Sequence, residues 1–338
     1  MSYLNENGLA ALEKAFSKAK VGVIGDLMLD RYMFGAVSRI SPEAPVPILE
    51  MHTKEVRLGG AANVGHNIRT LGATPLLFGV AGVDAKGELM KSMLEEHGMS
   101  SVGIVSDHDR PTTVKTRVIA NSQQMLRIDD EKKHPVSDRV EETLFTLIES
   151  HLPELSALVF EDYNKGVLSS RLIRRLIEAA RAQNVPTFVD PKYDNFFEYK
   201  HVTLFKPNRA EMEDALGMRI RSNEEIDQAG KKVLDLLSAE NVLLTLSEKG
   251  MRLFSRDASE PFAIPTRARQ VADVSGAGDT VIATLAVASA CGTSLREAAI
   301  MANRAAGIVI EELGIVPIQQ KQLFEALKDD LAEQLAAN

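Results

Sequence analysis

The run Asp273-Val274-Ser275-Gly276-Ala277-Gly278-Asp279-Thr280 stands directly before a small-residue stretch, Val281 to Ala290. Two glycines there let the backbone approach a ligand with no Cβ in the way. A helix starting at that point aims unpaired N–H groups and the positive end of its dipole at whatever lies in front, ideally phosphate. Asp279, in the first turn, places a carboxylate beside that anion hole, where it can take a proton from an attacking hydroxyl. The competing structural reading is a turn followed by a helix cap. Gly-x-Gly alone would favour it; Gly-Ala-Gly-Asp before an Ala-rich helix favours chemistry.

Two weaker features accompany it. Gly59-Gly60-Ala61-Ala62-Asn63 is a second glycine pair opening a helix, and Asn63 offers both a donor and an acceptor to hydroxyls. Lys206-Pro207-Asn208 with Glu211 places oxygen ligands suited to hydrated Mg²⁺ at a strand-to-helix junction. Each has a plain alternative, a turn for the first and an N-cap by Asn208 for the second, and in isolation the cap is the stronger reading. No P-loop, dinucleotide fingerprint, Gly-x-Ser-x-Gly, His-Glu-x-x-His or Cys-x-x-Cys occurs. The seven scattered histidines do not suggest a metal site.

These residues need a frame. Val21 to Asp26 is a short apolar run closed by Gly-Asp, as a buried parallel strand ends. Ala61, Val64, Ile68 and Leu71 recur at helical spacing, with Gly72 as a stop. Pro75–Val80, Ala157–Phe160, Thr187–Asp190, Val202–Phe205, Val242–Leu246 and Met251–Phe254 read as strands. Helices dominate from about Ala277 to Leu313. The alternation predicts an α/β fold, a mainly parallel central sheet with helices on both faces. Residues 1–20 read as an N-terminal amphipathic helix and 21–338 as the main domain.

Two stretches break the rhythm: 31–58, with three prolines, and 112–129, which alternates apolar and polar residues. Both read as antiparallel strands forming a small β lid over one sheet edge; a pair of surface hairpins is the alternative. No helix of their own covers both faces, so Val114 and Val118 are expected to meet a second copy of the chain, and exposed edges invite such pairing.

Composition narrows the class. The chain has 338 residues, 45% apolar and 25% charged, which excludes disorder. Thirty-nine basic residues against forty-seven acidic give a net charge of −8 with no basic block. That balance speaks against a nucleic-acid partner while leaving room for a local basic pocket. Cys291 is the only cysteine, which fits a reducing compartment. Neither a signal peptide nor a membrane span is legible, so a cytoplasmic protein is expected.

Taken together, the motifs resemble the ribokinase (PfkB-type carbohydrate kinase) family. One signature is Gly59 to Asn63, running through Leu71-Gly72 to Gly79 and Gly82-Val83-Asp84; the other is Asp273 to Asp279, with Val274 where many relatives have Thr. The likeness runs from Val21 to about Leu327. It implies a ribokinase-like fold, ATP and Mg²⁺ as cofactors, Asp279 as catalytic base, and Gly276, Ala277 and Gly278 as anion hole. It places Asn208 and Glu211 by the phosphates, Glu211 meeting Mg²⁺ through water, and Asn303 at the adenine. Asp30, Gly59, Gly60, Asn63 and Asp162 would face the sugar. It also admits K⁺ in a loop near Asp273 and Ser275, and lids that pair across a homodimer.

A finer resemblance concerns Gly25 to Tyr32, Ser38 to Pro47, Glu161 to Gly166 and Asp190-Pro191-Lys192. These look like the heptose-7-phosphate kinase branch of the family. The branch phosphorylates D-glycero-β-D-manno-heptose 7-phosphate at O1, on the route to ADP-heptose and lipopolysaccharide. Many of its members are fused to an adenylyltransferase; no His-x-Gly-His occurs here, so a separate adenylyltransferase is expected. An acceptor carrying its own phosphate calls for bases remote from Asp279. Lys115, Arg117 and Arg127 in the second insertion, with Lys165 and Lys192 after strands, are the candidates. The alternative is that the lid bases only keep an exposed strand soluble. A kinase for another sugar and a catalytically idle sugar-phosphate sensor are the rival functions, and the intact Asp279 speaks against the sensor.

Overall fold

A computed structural model describes residues 5–121, 123–266 and 271–337. In chain order the strands are β1 (Lys20–Gly25), β2 (Leu27–Ile40), β3 (Pro47–Gly60), β4 (Thr74–Gly82), β5 (Ile104–Asp107), β6 (Val114–Ala120), β7 (Gln123–Asp130), β8 (Ala157–Glu161), β9 (Thr187–Asp190), β10 (Leu204–Phe205), β11 (Asn241–Thr245), β12 (Met251–Ser255) and β13 (Phe262–Ile264). The helices are α1 (Glu6–Phe16), α2 (Ala61–Thr70), α3 (Ala85–Glu96), α4 (Asp138–His151), α5 (Ser170–Ala182), α6 (Arg209–Leu216), α7 (Asn223–Leu237), α8 (Ala277–Ala290), α9 (Leu295–Val309) and α10 (Gln320–Ala337).

Nine strands form the main sheet in the order β13-β12-β11-β10-β9-β8-β1-β4-β5. All pairs from β11 through to β5 are parallel, and β12 and β13 add an antiparallel edge. After β1 the chain builds outward on one side to β4 and β5, then returns to build β8 to β13 on the other. The strand order therefore reverses between β1 and β8, and in open α/β sheets the crevice at the carboxyl ends of such a pair is where ligands bind. Asp26 follows β1, Asp162 follows β8, and Asp190 and Lys206 stand at the ends of β9 and β10.

Two apolar layers cover the sheet. One gathers residues of α1, α2, α8, α9 and α10, among them Leu12, Phe16, Val64, Ile282 and Phe324. The other gathers residues of α4, α5 and α7, including Leu144, Leu176 and Val233. Leu172, Ile173, Leu176, Ile177 and Ala180 form the buried face of α5. Every residue of α8 from Asp279 to Ala288 is buried, so its small side chains let α2, α9 and the sheet close around it. The N-terminal helix α1 starts at Asn5, whose side chain accepts the Gly8 N–H at 2.9 Å, and Phe16 meets Phe324 edge-to-face at 5.2 Å. Among the described residues no helix is long and apolar enough to cross a membrane.

The two interrupting stretches form a separate four-stranded sheet, β3-β2-β6-β7. Its central pair, β2 and β6, is parallel rather than antiparallel, a departure from the all-antiparallel expectation. Val114 and Val118 are also not free for a partner, being 1% and 9% exposed within the single chain. Other apolar residues remain open on the lid, among them Ile40 of β2, Met51 of β3 and, on β7, Leu126 and Ile128, which are 48% and 52% exposed. The strand expected over Val202–Phe205 shortens to Leu204–Phe205. Thr187 N–H donates to Thr203 Oγ1 at 3.2 Å and Thr203 N–H to Thr187 Oγ1 at 3.3 Å, so side chains replace the first rung of the ladder.

Candidate active site

Asp279 lies in the first turn of α8, 3% exposed. Gly276 caps that helix with φ +78°, and no side chain caps its first N–H groups. Gly276, Ala277 and Gly278 line an open cleft. On the other side of Asp279, α2 opens on Gly60 with φ +56°, again with no side-chain cap. A Cβ at Gly60 would overlap the Asp26 carbonyl, and one at Gly59 would overlap the Asp30 carboxylate, so both glycines permit close packing. From α2, Asn63 donates to Asp279 Oδ2 at 2.6 Å, and Asn67 Oδ1 accepts from Thr280 Oγ1 at 2.9 Å. The two glycine-opened helices are joined at the carboxylate.

Asp279 Oδ1 accepts from the Tyr163 hydroxyl at 3.0 Å. Burial, helped by the Asp190 charge, pushes the Asp279 pKa up to about 6 against the opposing bonds from Asn63 and Tyr163. A carboxylate so placed is deprotonated at neutral pH and only weakly stabilised as an anion, as suits a general base. Tyr163 is held by Asp26, whose buried carboxylate accepts the Tyr163, Lys165 and Val167 N–H groups at 2.8, 3.0 and 3.3 Å. Burial, then the Asp162 charge, raises Asp26 to about 6.

Glu161, Asp190 and Asp279 each offer an oxygen within 4.8 Å of the others. Glu161 Oε2 is buried without a hydrogen-bond partner, and burial followed by the Asp190 and Asp279 charges holds its pKa well above the usual carboxylate range. Lys206 pairs with Asp190 at 2.8 Å. An orphaned carboxylate oxygen beside two others is a hard donor set that fits Mg²⁺. Glu211 is more committed: its Oε2 accepts the Asn208 N–H at 2.8 Å and its Oε1 takes the Lys192 ammonium. Asn208 in turn accepts the Glu211 N–H at 2.9 Å, so Asn208 and Glu211 make a closed capping box on α6. Both still line the cleft, which extends from Asp279 over a volume of about 520 Å³ past Lys206 and Thr245 to Asn303. Gly276, Ala277 and Gly278 at the start of α8 form one part of its lining. Asn303 Nδ2 donates to the Pro265 carbonyl at 2.8 Å.

The other expected residues divide. Asp273 has both oxygens taken, by the Ser275 N–H at 2.9 Å and the Gly314 N–H at 3.0 Å. Arg57 donates to the Ile315 carbonyl at 3.1 Å in the same loop. The Asp273 carboxylate, in the loop expected to take K⁺, thus staples that loop to the one carrying Gly314. Asp162 faces inward, accepting from Tyr199 at 2.7 Å and Asn195 at 3.0 Å, and organises the loop that carries Tyr163 rather than opening onto the cleft. Asp30 is ion-paired with Arg117, Arg127 with Asp129 and Lys165 with Glu131. Lys192, expected at the sugar end, lines the cleft that holds Asn208 and Lys206 instead. Lys115 lies on the lid side of Tyr163, its ammonium 5.0 Å from the ring centroid.

Sequence reasoning did not single out Asp26, Glu161, Tyr163, Asp190 or Lys206 as site residues. The signal was present in position: each stands at or just beyond the carboxyl end of a parallel strand, beside or near the point where the strand order reverses.

The profile of the pfkB family of carbohydrate kinases matches residues 18–321. A protein named Bifunctional protein HldE from Desulfatibacillum aliphaticivorans is 41% identical over 314 residues, covering 93% of this chain and 64% of that protein. The protein of the same name from Paramagnetospirillum magneticum is 41% identical over 327 residues, covering 96% of this chain and 67% of that one. The chain thus spans about two thirds of the length of these relatives. Ribokinase of Arabidopsis thaliana, complexed with ribose and ATP, superposes with a TM-score of 0.73 at 23% identity, covering 92% of this chain and 99% of that one. Phosphofructokinase-2 from Escherichia coli, in complex with potassium, does so with a TM-score of 0.76 at 18% identity and the same coverage. These two likenesses establish a ribokinase-like fold. With the profile spanning most of its length, the chain belongs to the pfkB family of carbohydrate kinases, phosphotransferases whose acceptor is a sugar hydroxyl.

Proposed function

We propose that this chain transfers the γ-phosphoryl group of ATP to O1 of D-glycero-β-D-manno-heptose 7-phosphate, giving the 1,7-bisphosphate. The observation that carries the chemical part is the buried Asp279 at the uncapped start of α8, bonded by Asn63 and Tyr163. The acceptor rests on the heptose-kinase segments of the sequence and on the HldE relatives. The sugar binds between α2 and the lid with its O1 hydroxyl at Asp279. Asp279 takes the hydroxyl proton as the oxygen attacks the γ-phosphorus, and the bond to the β-phosphate oxygen breaks. N–H groups of Gly276 to Gly278 meet the charge on the transferring group. Glu161 and Asp190 would hold Mg²⁺, with Glu211 reaching it through water, and the ion supplies charge neutralisation on the phosphates. Lid closure keeps water from competing as acceptor.

The product would then be consumed by an adenylyltransferase, fused or separate. The same reading includes a homodimer, since Leu126 and Ile128 leave apolar surface on an exposed lid strand. Sedimentation of a Leu126→Glu, Ile128→Glu variant is expected to give a monomer; an unchanged dimer places the interface elsewhere. The function itself is tested with ATP-Mg²⁺ against heptose, hexose and pentose phosphates, with ³¹P NMR to locate the new phosphate. Preference for heptose 7-phosphate and a new phosphate on O1 are expected. A higher kcat/KM for a hexose or pentose phosphate would move the chain to another sugar.

A further inference from the structure

Five basic side chains were candidates for holding an acceptor's own phosphate, and the fold treats them unequally. Arg117 is paired with Asp30, Arg127 with Asp129, Lys165 with Glu131 and Lys192 with Glu211. Lys115 makes no ion pair among the described residues. It projects from β6 between Asp30 on β2 and Asp129 on β7, which are its register neighbours. Both carboxylates are already claimed by arginines. Burial, and then the Lys165 charge, pulls the Lys115 ammonium below the usual lysine range against the more distant Asp30 and Glu131 charges, whereas Arg117 is raised by its Asp30 partner against the opposing effect of burial. A half-buried cation with no direct ion pair is where an incoming anion gains most, because no close contact must be broken to receive it.

Position agrees with charge. The Lys115 ammonium lies over the Tyr163 ring at 5.0 Å, and the hydroxyl of the same ring meets Asp279. Lys192 also approaches that ring, at 5.2 Å, but lines the cleft, whose lining does not include Lys115. Tyr163 is thus approached by one lysine that lines the cleft and by one that stands on the lid strand β6. The Tyr163 ring therefore links Lys115 to Asp279 through one side chain.

We infer that Lys115 is the residue that receives the acceptor's own phosphomonoester, and so sets the preference for a phosphorylated over an unphosphorylated sugar. This rests on the sugar-phosphate reading above. The lysine's four-carbon stem carries a point charge, which suits a terminal phosphate. The three remaining lid-side bases keep their intramolecular partners and shape the pocket around it.

The test is the ratio of kcat/KM for heptose 7-phosphate to that for the unphosphorylated heptose, measured in the unmutated protein and in Lys115→Met, Lys115→Gln and Lys115→Arg. In the Met and Gln variants the ratio is expected to fall at least tenfold, about 1.4 kcal/mol, through KM for the sugar phosphate. In Lys115→Arg much of the ratio is retained. Two neutral variants guard against one that packs badly over Tyr163. An unmutated protein that prefers the sugar phosphate, and whose preference survives both neutral substitutions, overturns the role of Lys115 and leaves the acceptor reading standing. An unmutated protein with no preference overturns the acceptor reading, and the role of Lys115 with it.

Discussion

Three helix starts carry side chains suited to chemistry, and they fall into two kinds. α2 and α8 open on glycines with positive φ, Gly60 and Gly276, and no side chain bonds their first N–H groups. α6 opens on Asn208, whose side chain and that of Glu211 close a reciprocal capping box. The same is true of the ordinary structural helices: Ser222 with Glu225 and Ser294 with Glu297 close the starts of α7 and α9. A helix start has donors to give only while nothing in the chain has taken them; at α2 and α8 backbone carbonyls take one each, Asp26 the Ala61 N–H at 3.1 Å and Val274 the Ala277 N–H at 3.3 Å, and no side chain takes the rest. The open starts converge on Asp279. The capped one stands at the cleft wall with its N-terminal donors partly satisfied, so Asn208 contributes geometry first.

The largest expected effect is at the open start of α8. Asp279→Asn keeps the side-chain volume and removes the base, so kcat should fall by about 10²–10⁴-fold while binding of a non-hydrolysable ATP analogue persists. Retention of more than about a tenth of the activity, with chemistry limiting, would assign the base elsewhere. Next comes the open start of α2. Gly60→Ala forces a Cβ against the Asp26 carbonyl at a φ that L-residues avoid, which should cost roughly 1–3 kcal/mol in denaturant unfolding and lower kcat through Asn63.

The capped start of α6 gives a smaller and more diagnostic change. Asn208→Ala should lose about 1 kcal/mol of stability, and Asn208→Ser should restore both stability and activity, because serine caps as asparagine does. If the serine variant is stable yet as inactive as the alanine one, the amide meets a ligand and α6 belongs with the open starts. The smallest effect is in pH dependence. As the proposed base Asp279 must be ionised, and its pKa is raised to about 6, so kcat/KM should fall as pH drops through that value. The Tyr163 hydroxyl favours the charged form; Tyr163→Phe should therefore move the acidic limb to higher pH and cost a few-fold in rate near neutrality. A limb that does not move would mean the hydroxyl is not bonded to the working carboxylate.

Local features made much of this legible in advance. The spacing of Leu172, Ile173, Leu176, Ile177 and Ala180 does specify α5, because a helix face is written in neighbouring residues. The same holds for Thr187–Asp190 as a buried strand and for glycines before α2 and α8, whose backbone demands are local. The parallel run of β2 beside β6 was not legible, since the two strands are far apart in sequence and alternation of side chains is the same in either direction.

The sequence by itself determined the alternating α/β order, the two glycine-opened helices and the carboxylate at the second of them. Each depends on residues within one turn or one strand of each other. Only the tertiary structure decided which charges were spent. Arg117 meets Asp30 across 87 positions, Lys165 meets Glu131 across 34, and Asn63 meets Asp279 across 216. Composition records that bases and acids are present; pairing depends on which strands lie side by side. For that reason five lysines and arginines that looked equivalent in the chain became four ion-paired side chains and one, Lys115, that lies against the Tyr163 ring with no direct ion pair among the described residues.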